Sequence, residues 1–419
     1  MKLLTITTLY PNAEDPKHGV FIENRLRQLR LRYPDVEATV IAPVPWFPFR
    51  HARFGAYGRY AAVPDMETRY GIKVYHPRYL VIPKIGMNLT PYTLAHSLKN
   101  QVGRLQAQGE QFDLIDGHYF FPDGVAIHAL AQSLRLPFTV TARGTDINLI
   151  PSYPRPLQQI QHVLKHSQHN LAVCEALRQA MIGYGADPTR TTTARNGVDL
   201  NVFRCVDEIA QPALRQSLQL PTDRPVIISV GLLVERKGHH LVIEALSQIP
   251  DALLLIAGTG PDERKLRQLA TQLGVAERVT FLGGLSQSVL ADYFAASDIS
   301  VLASSREGWA NVLLESMACG TPVVATNIWG TPEVVSAPEA GVLVERDSSS
   351  IAQGLCQLLA HRPSRRQTRQ YAEQFSWDDT SDLLYHLFTQ IISGRNPPLP
   401  APSIRHTRSE TEHDKEASL

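Results

Sequence analysis

Two glutamates eight residues apart, Glu307 and Glu315, stand in the stretch SREGWANVLLESMACGTPVV that begins at Ser305. Glu307 falls in a glycine-containing loop after an apolar run at Ile299 to Leu302, and Glu315 falls inside the helix, Val312 to Cys319, that the loop feeds. In an open α/β sheet, ligands sit off the carboxyl ends of the strands, so this loop and helix start face the crevice. The backbone amides of Ala310, Asn311 and Val312 then suit a phosphate, and Glu315 suits the two hydroxyls of a ribose. Taken alone, the pair also fits a capping carboxylate and a solvated helix glutamate.

A second group lies in VGLLVERKGHHLVIEAL, Val230 to Leu246. A glycine at a strand end followed by a helix puts Arg236 and Lys237 at the strand-to-helix turn, where two cations can neutralise a diphosphate. A solvated basic loop has the same composition. In the N-terminal half, Asp116-Gly117-His118-Tyr119 and Arg143-Gly144-Thr145-Asp146 each follow an apolar strand, so both strand ends point into one crevice. His118 also fits a structural hydrogen-bonding role. Arg143 is permanently charged and cannot act as a base, which leaves phosphate or acceptor binding.

These loops need two sheets to hold them. Strands are expected at Leu3 to Leu9, Ala38 to Ala42, Asp113 to Asp116 and Phe138 to Thr141, alternating with helices at Phe21 to Arg32, Asp123 to Leu134 and Leu157 to His166. The pattern restarts after Arg224-Pro225, with strands at Val226 to Val230, Leu253 to Ala257, Val279 to Leu282, Ile299 to Leu302 and Pro322 to Ala325. Helices are expected between them at Leu241 to Gln248, Arg264 to Leu273, Ser288 to Ala295 and Val312 to Cys319. Strand-helix alternation implies parallel sheets. The reading is α/β, two doubly wound Rossmann-like domains facing a central cleft: residues 1–204, residues 205–392 with a last helix that can pack back on the first domain, and a disordered tail, 393–419. The polar, Pro-containing stretch Val202 to Pro225 is the seam. Pro43 to Arg59 mixes aromatics, prolines and arginines without periodicity and reads as a long loop, its rings either covering the N-terminal core or meeting a membrane surface.

Composition narrows the partners. The chain has 419 residues, 43% of them hydrophobic, enough for sizeable cores. Forty-one Lys and Arg against 40 Asp and Glu leave a net charge of +1, so no global field draws nucleic acid or an anionic membrane. Cys174, Cys205, Cys319 and Cys356 lie far apart, and the expectation is of no Cys-x-x-Cys pair and no His-x-x-x-His partner spacing, which argues against disulfides or structural zinc and suits a reducing compartment. The N-terminal apolar run is too short for a signal peptide, and no stretch reaches the length of a membrane span.

The Ser305 to Thr326 segment, with Gly330 to Val335 (GTPEVV), resembles the signature of retaining glycosyltransferase family four, a two-domain GT-B family. The resemblance covers about residues 1 to 390, most densely Val226 to Val335. It implies that Glu315 binds the donor ribose, Glu307 the transferred sugar, and the backbone from Trp309 to Val312 the diphosphate. Family members carry Gly-Phe or Gly-Leu where this chain has Gly308-Trp309, a change expected to reshape the sugar pocket. They also carry an arginine where this chain has Leu232; Gly231, Leu233, Lys237 and Gly238 are kept, and Arg236 stands ready to supply the charge. Gly258 and Leu282 match the loops beside the nucleobase, Gly19 the glycine loop against diphosphate and acceptor, and His118 a histidine that touches the sugar near its reacting carbon. Arg195-Asn196-Gly197-Val198-Asp199 matches the stretch that closes the first domain. Arg143 to Asp146 replaces a His-Gly-x-Asp motif and resembles the teichuronic-acid and exopolysaccharide subgroup.

The expectation is therefore a transferase that moves a sugar from a UDP- or GDP-sugar to a glycan or lipid-linked hydroxyl with retention, using His118, Glu307, Arg236 and Lys237. It would need no cofactor and no metal, since no Asp-x-Asp is present, and would work in the cytoplasm, at the inner face of the membrane if residues 43–59 bind there. The rivals are a nucleotide-sugar 2-epimerase and a non-catalytic nucleotide-sugar binder on the same fold.

Overall fold

The computed structural model describes residues 1–82 and 86–394. The N-terminal sheet has eight strands in the order Thr191–Thr193, His169–Ala172, Phe138–Ala142, Leu114–His118, Lys2–Ile6, Glu37–Ile41, Ile72–Tyr75 and Met66–Arg69. All neighbours are parallel except the last pair. The second sheet is wholly parallel, in the order Val279–Gly283, Leu253–Ala257, Val226–Val230, Ile299–Leu302, Val323–Thr326 and Gly341–Val344. Helices cover both faces, which is why strands such as Val226–Val230 read as unbroken apolar runs. Together these make the α/β two-domain GT-B fold.

Strand order decides where ligands can bind. In the first sheet the winding reverses between Lys2–Ile6 and Leu114–His118, and in the second between Val226–Val230 and Ile299–Leu302. Crevices open at the carboxyl ends of such pairs. The loops that leave those ends are those carrying Gly19, His118, Lys237 and Glu307.

Several elements differ from the sequence expectation. The first strand stops at Ile6 because Thr8 leaves the ladder: its amide donates to Asp123 Oδ2 at 2.6 Å. Asp123, expected to start a helix, instead lies in the Phe120–Gly124 turn before the helix Val125–Leu134. Pro43 to Arg59 is not one loop. Val44–Pro45 pairs with Arg78–Tyr79, Ala52–Phe54 forms a 3-10 turn, and the helix Ala56–Ala62 begins inside the segment. Its rings pack on one another, Phe47 against Phe54 and Tyr57 with centroids 5.2 and 5.4 Å apart. Trp46, Phe49 and Tyr57 remain 53%, 55% and 37% exposed, so these three do not cover the core. The seam also holds a helix, Gln211–Ser217, tied to the second domain by Arg215, which donates to Asp298 Oδ2 at 2.7 Å.

The helix Trp377–Ile392, capped by the Ser376 side chain, packs against Val20–Arg32 of the first domain. Tyr385 stacks on Tyr33 at 3.8 Å, and Leu384, Leu387 and Phe388 join Leu3 and Leu29 in one apolar cluster. The chain thus crosses between domains twice, and the crossings touch: Val198 N donates to Phe375 O at 3.0 Å, and a Cβ on Gly197 would lie 2.5 Å from Trp377 N. Only glycine fits there. Among the described residues no helix is long and apolar enough to cross a membrane. From residue 395 on, the segment read as a disordered tail lies outside the described residues.

Candidate active site

On the second-domain side, Lys237 ends the 3-10 turn Glu235–Lys237 that follows strand Val226–Val230. Its Nζ lies 2.5 Å from Glu307 Oε1, which also accepts from Ser304 Oγ at 2.7 Å. Ser305 N donates to Arg236 O at 2.8 Å, so the two strand-end loops at the switch point are stitched together. Both pair members are mostly buried, where an ion pair fixes geometry more than it adds stability. Gly231 and Gly258 close the cradle beside Lys237; a Cβ on Gly258 would sit 1.8 Å from Gly231 O. Leu282 is half-buried against the core, and Leu232 is exposed.

Glu315 lies in the helix Asn311–Ala318, whose Leu313, Leu314 and Met317 are buried. Its half-buried carboxyl has no cation beside it, and burial alone pushes its pKa from 4.5 up to about 7. A carboxylate placed at that cost without a protein partner suits a ligand that brings hydroxyl donors. At the helix start, part of the expected amide nest is already used: Asn311 N donates to Trp309 O at 3.0 Å and Leu313 N to Ala310 O at 3.0 Å. Neither Asn311's amide nor that of Leu313 is free for phosphate; Val312, half-buried, follows in the same turn.

Facing this, the first domain presents Arg25, Asp116, His118 and Arg143. Arg143 NH2 donates to His118 Nδ1 at 2.7 Å, and His118 Nε2 lies 3.3 Å from Asp116 Oδ2. A guanidinium only donates, so Nδ1 must accept and the imidazole proton sits on Nε2, toward Asp116. Arg25 donates to Thr141 Oγ1 at 2.8 Å and approaches Asp116 Oδ1 at 3.4 Å. Burial holds the His118 pKa far below its usual value, and its two arginine neighbours add to this, so the ring is neutral at pH 7. Burial would raise the Asp116 carboxyl, but His118, Arg25 and Arg143 outweigh it and keep the group ionised. Arg143 Nε is buried with no hydrogen-bond partner, so this guanidinium still has a donor to give. Such a site suits an anion.

Three sequence expectations change here. His118 is 1% exposed, and Arg143 and Asp116 engage both its ring nitrogens, so neither nitrogen is open to a sugar in this arrangement. Asp146 does not face the cleft: its carboxylate accepts the backbone amides of Phe120 at 2.8 Å, Arg143 at 3.0 Å and Gly144 at 2.8 Å, binding the two strand-end loops together. The Trp309 side chain does not line a sugar pocket either. It is 6% exposed and its Nε1 donates to Asn196 O at 3.0 Å across the domain seam. Gly19 caps the helix Val20–Arg32 with φ 67, beside Phe21, over whose ring the Arg143 guanidinium lies at 5.4 Å.

The two sides meet at Gly144 and Gly308. A Cβ on Gly308 would lie 2.2 Å from Arg143 O, and Asn148 Nδ2 donates to Glu307 O at 3.5 Å. Asn196, 3% exposed, joins the halves: its Oδ1 accepts from Arg143 NH1 and its Nδ2 donates to Asn311 Oδ1, each at 3.1 Å. Glu333 of the GTPEVV segment accepts from Arg195 Nε at 3.1 Å and from Ala176 N at 3.1 Å. Asn196 and Arg25 carry parts of this site that the motifs did not assign. A signal for Arg25 existed, since it is a charge on the same helical face as Ile22, Leu26 and Leu29.

Comparison with known proteins identifies the family and the fold. Residues 22–202 match the model of Glycosyltransferase Family 4, and residues 210–375 that of Glycosyl transferases group 1. The chain is 28% identical over 403 residues to TuaC of Bacillus subtilis (strain 168), described as a teichuronic acid biosynthesis glycosyltransferase; the match spans 94% of this chain and 96% of TuaC. It is 31% identical over 264 residues to the D-inositol 3-phosphate glycosyltransferase of Mycolicibacterium smegmatis, spanning 60% of each chain. Among solved structures, sucrose-phosphate synthase from Thermosynechococcus elongatus superposes with TM-score 0.79 at 21% identity, covering 94% of this chain and 100% of that one. Anabaena HepE in complex with UDP and glucose gives 0.70 at 21% identity, covering 93% and 100%. With its first half in Glycosyltransferase Family 4, its second in group 1 and a cleft between two switch points, the chain belongs to the GT-B glycosyltransferases.

Proposed function

We propose that the protein transfers a hexose from a nucleotide-sugar to a glycan or lipid-linked hydroxyl, with retention at the anomeric carbon, in the synthesis of a surface polysaccharide. The observation that carries this reading is the pairing of Lys237 with Glu307 at one switch point, opposite the Arg143 and Arg25 charges at the other. Arg236 and Lys237 take the diphosphate, Glu315 the ribose hydroxyls, and Glu307, its Oε1 anchored by Lys237 and Ser304, a hydroxyl of the moving sugar. Arg143 takes an anionic group of the acceptor or the leaving phosphate. HepE was solved with UDP and with UDP-glucose, which supports a nucleotide-sugar donor.

Departure of the diphosphate builds negative charge on its bridging oxygen, and preorganised cations aimed there lower the barrier. The sugar becomes cationic as it leaves. Same-face attack, with the leaving phosphate receiving the acceptor proton, gives retention without a covalent intermediate, and the reaction needs no divalent metal at the diphosphate. The exposed Trp46, Phe49 and Tyr57, with Arg50, Arg53 and Arg59, form a peripheral contact with an anionic leaflet, where a lipid-linked acceptor resides.

A panel of UDP- and GDP-sugars tests the reading, with nucleoside diphosphate release followed with and without membrane extract and the product's anomeric configuration read by NMR. Acceptor-linked sugar of unchanged configuration supports it. An altered nucleotide-sugar without acceptor would make the protein an epimerase, binding without turnover a recognition protein, and an inverted product a different mechanism.

A further inference from the structure

Away from the cleft, three histidines converge on the outer side of the first domain. His162 and His166 are one turn apart at the end of the helix Pro154–His166, and His128 lies on the neighbouring helix Val125–Leu134. The His-x-x-x-His spacing is therefore in the sequence after all, partnered by a third histidine rather than by a cysteine. One ligand nitrogen or more from each lies within 4.8 Å of the others. The rings crowd together, with centroids 4.8 Å apart for His128 and His162, 5.1 Å for His128 and His166, and 4.1 Å for His162 and His166.

We propose that His128, His162 and His166 form a binding site for a divalent transition ion of the zinc class, which braces the two helices against each other. Imidazole is a preferred ligand for Zn²⁺, Cu²⁺ and Ni²⁺, and two histidines at i and i+4 present their rings on one helical face. His128 Nε2 and His162 Nε2 are 3.1 Å apart. Two nitrogens so separated, each about 2.1 Å from one ion, subtend roughly 95° at it, an angle a distorted tetrahedral or higher-coordinate site accepts. The third ligand is pre-set. His166 Nδ1 lies 2.8 Å from the His162 carbonyl, which can only accept, so the proton is on Nδ1 and the lone pair on Nε2.

The surroundings agree with a cation. His128 Nδ1 is buried with no hydrogen-bond partner, and the partner of its Nε2 is His162, itself a member of the proposed site. His166 is the last residue of its helix, at the negative end of the dipole. Lys165 is the nearby cation, and it is exposed, so solvent screens it. Exposed His162 and His166 leave the remaining positions to water. The site is separate from the cleft: His128 lies 5.6 Å from Phe138, the first residue of the strand whose other end delivers Arg143. Both helices continue from strand-end loops of the cleft, so bracing them steadies His118 and Arg143 without touching a ligand.

Untagged full-length protein, stripped with EDTA, should bind one Zn²⁺ per chain in calorimetry, and Zn²⁺ should raise its thermal unfolding midpoint. In His162→Gln/His166→Gln the Zn²⁺ affinity should fall by more than the roughly 10 to 100-fold that follows loss of an outer-shell partner. Bound Cu²⁺ should show nitrogen hyperfine structure that the variant loses. His96→Gln, a control on the separate helix Thr90–Ala107, should bind normally. Absence of stoichiometric uptake, uptake unchanged in the double variant, or an equal loss in His96→Gln would each overturn the proposal. Nucleoside diphosphate binding should be unaltered in the double variant, which also distinguishes failure here from failure of the transferase reading.

Discussion

Replacing Glu315 by Gln should stabilise the unliganded protein while weakening its hold on the donor. The carboxyl is lifted from 4.5 to about 7 by burial with no cation to offset it. Its folded-state pKa is above the unfolded value, so its contribution to stability is fully present below about pH 4.5 and lost as pH rises through about 7. Each pKa unit is worth about 1.4 kcal/mol, so the ionised wild type carries a penalty of up to about 3 kcal/mol at pH 8. Burying the amide instead costs about 1 kcal/mol, which leaves a net gain of about 1 to 2 kcal/mol for the variant. Urea unfolding of both proteins at pH 5 and pH 8 measures this, and the difference should be small at pH 5 and open at pH 8. Asp123, also raised to about 7 by burial, is common to both proteins and cancels. Calorimetry with UDP at pH 8 should show binding weakened roughly 10 to 100-fold, because charge-assisted bonds to the ribose are lost. A variant no more stable than wild type at pH 8, or one that binds UDP equally well, would refute the argument that this carboxylate is held unpaired for a ligand.

Lys237→Ala should weaken nucleoside diphosphate binding by one to two orders of magnitude, since it removes a phosphate contact and leaves Glu307 without its cation; unchanged calorimetric affinity in an Arg236→Ala/Lys237→Ala variant would remove both residues from the diphosphate. Glu307→Ala should lower kcat more than it raises KM, because the sugar it contacts changes in the transition state, and steady-state kinetics showing only a higher KM would contradict that role. Saturating EDTA should leave transfer intact while lowering the thermal midpoint of zinc-loaded protein; transfer abolished by EDTA and restored by Mg²⁺ or Mn²⁺ would end the metal-free scheme. The protein should pellet with anionic vesicles at low salt, and Trp46→Ser/Arg50→Ser/Arg53→Ser should release it with UDP binding intact; wild-type protein that stays in the supernatant at every lipid composition would make the aromatic segment structural.

Strand-helix alternation and the loop motifs were legible because they are local: a buried parallel strand must be apolar throughout, and a phosphate-facing turn needs glycine and cations next to each other in the chain. Val226–Val230 and Ile299–Leu302 are the expected strands residue for residue, and Lys237 and Glu307 emerge from their ends. The four-residue strands Ile72–Tyr75 and Met66–Arg69 were not legible, since so short a run gives too few residues for a period to stand out, and neither was the long helix Thr90–Ala107. Roles that depend on which side of a loop a side chain turns were hidden as well. Asp146 and Trp309 stand within motifs, yet one is spent on three backbone amides and the other on the Asn196 carbonyl. Sequence alone therefore determined the two α/β domains and which loops leave the strand ends at the cleft, because short-range periodicity and residue type encode them. Tertiary structure alone decided that Arg143 shares a proton-fixed network with His118, Asp116 and Arg25, and that Asn196 bridges it to Asn311, because residues from opposite ends of the chain meet only when both sheets have wound and the last helix has crossed back.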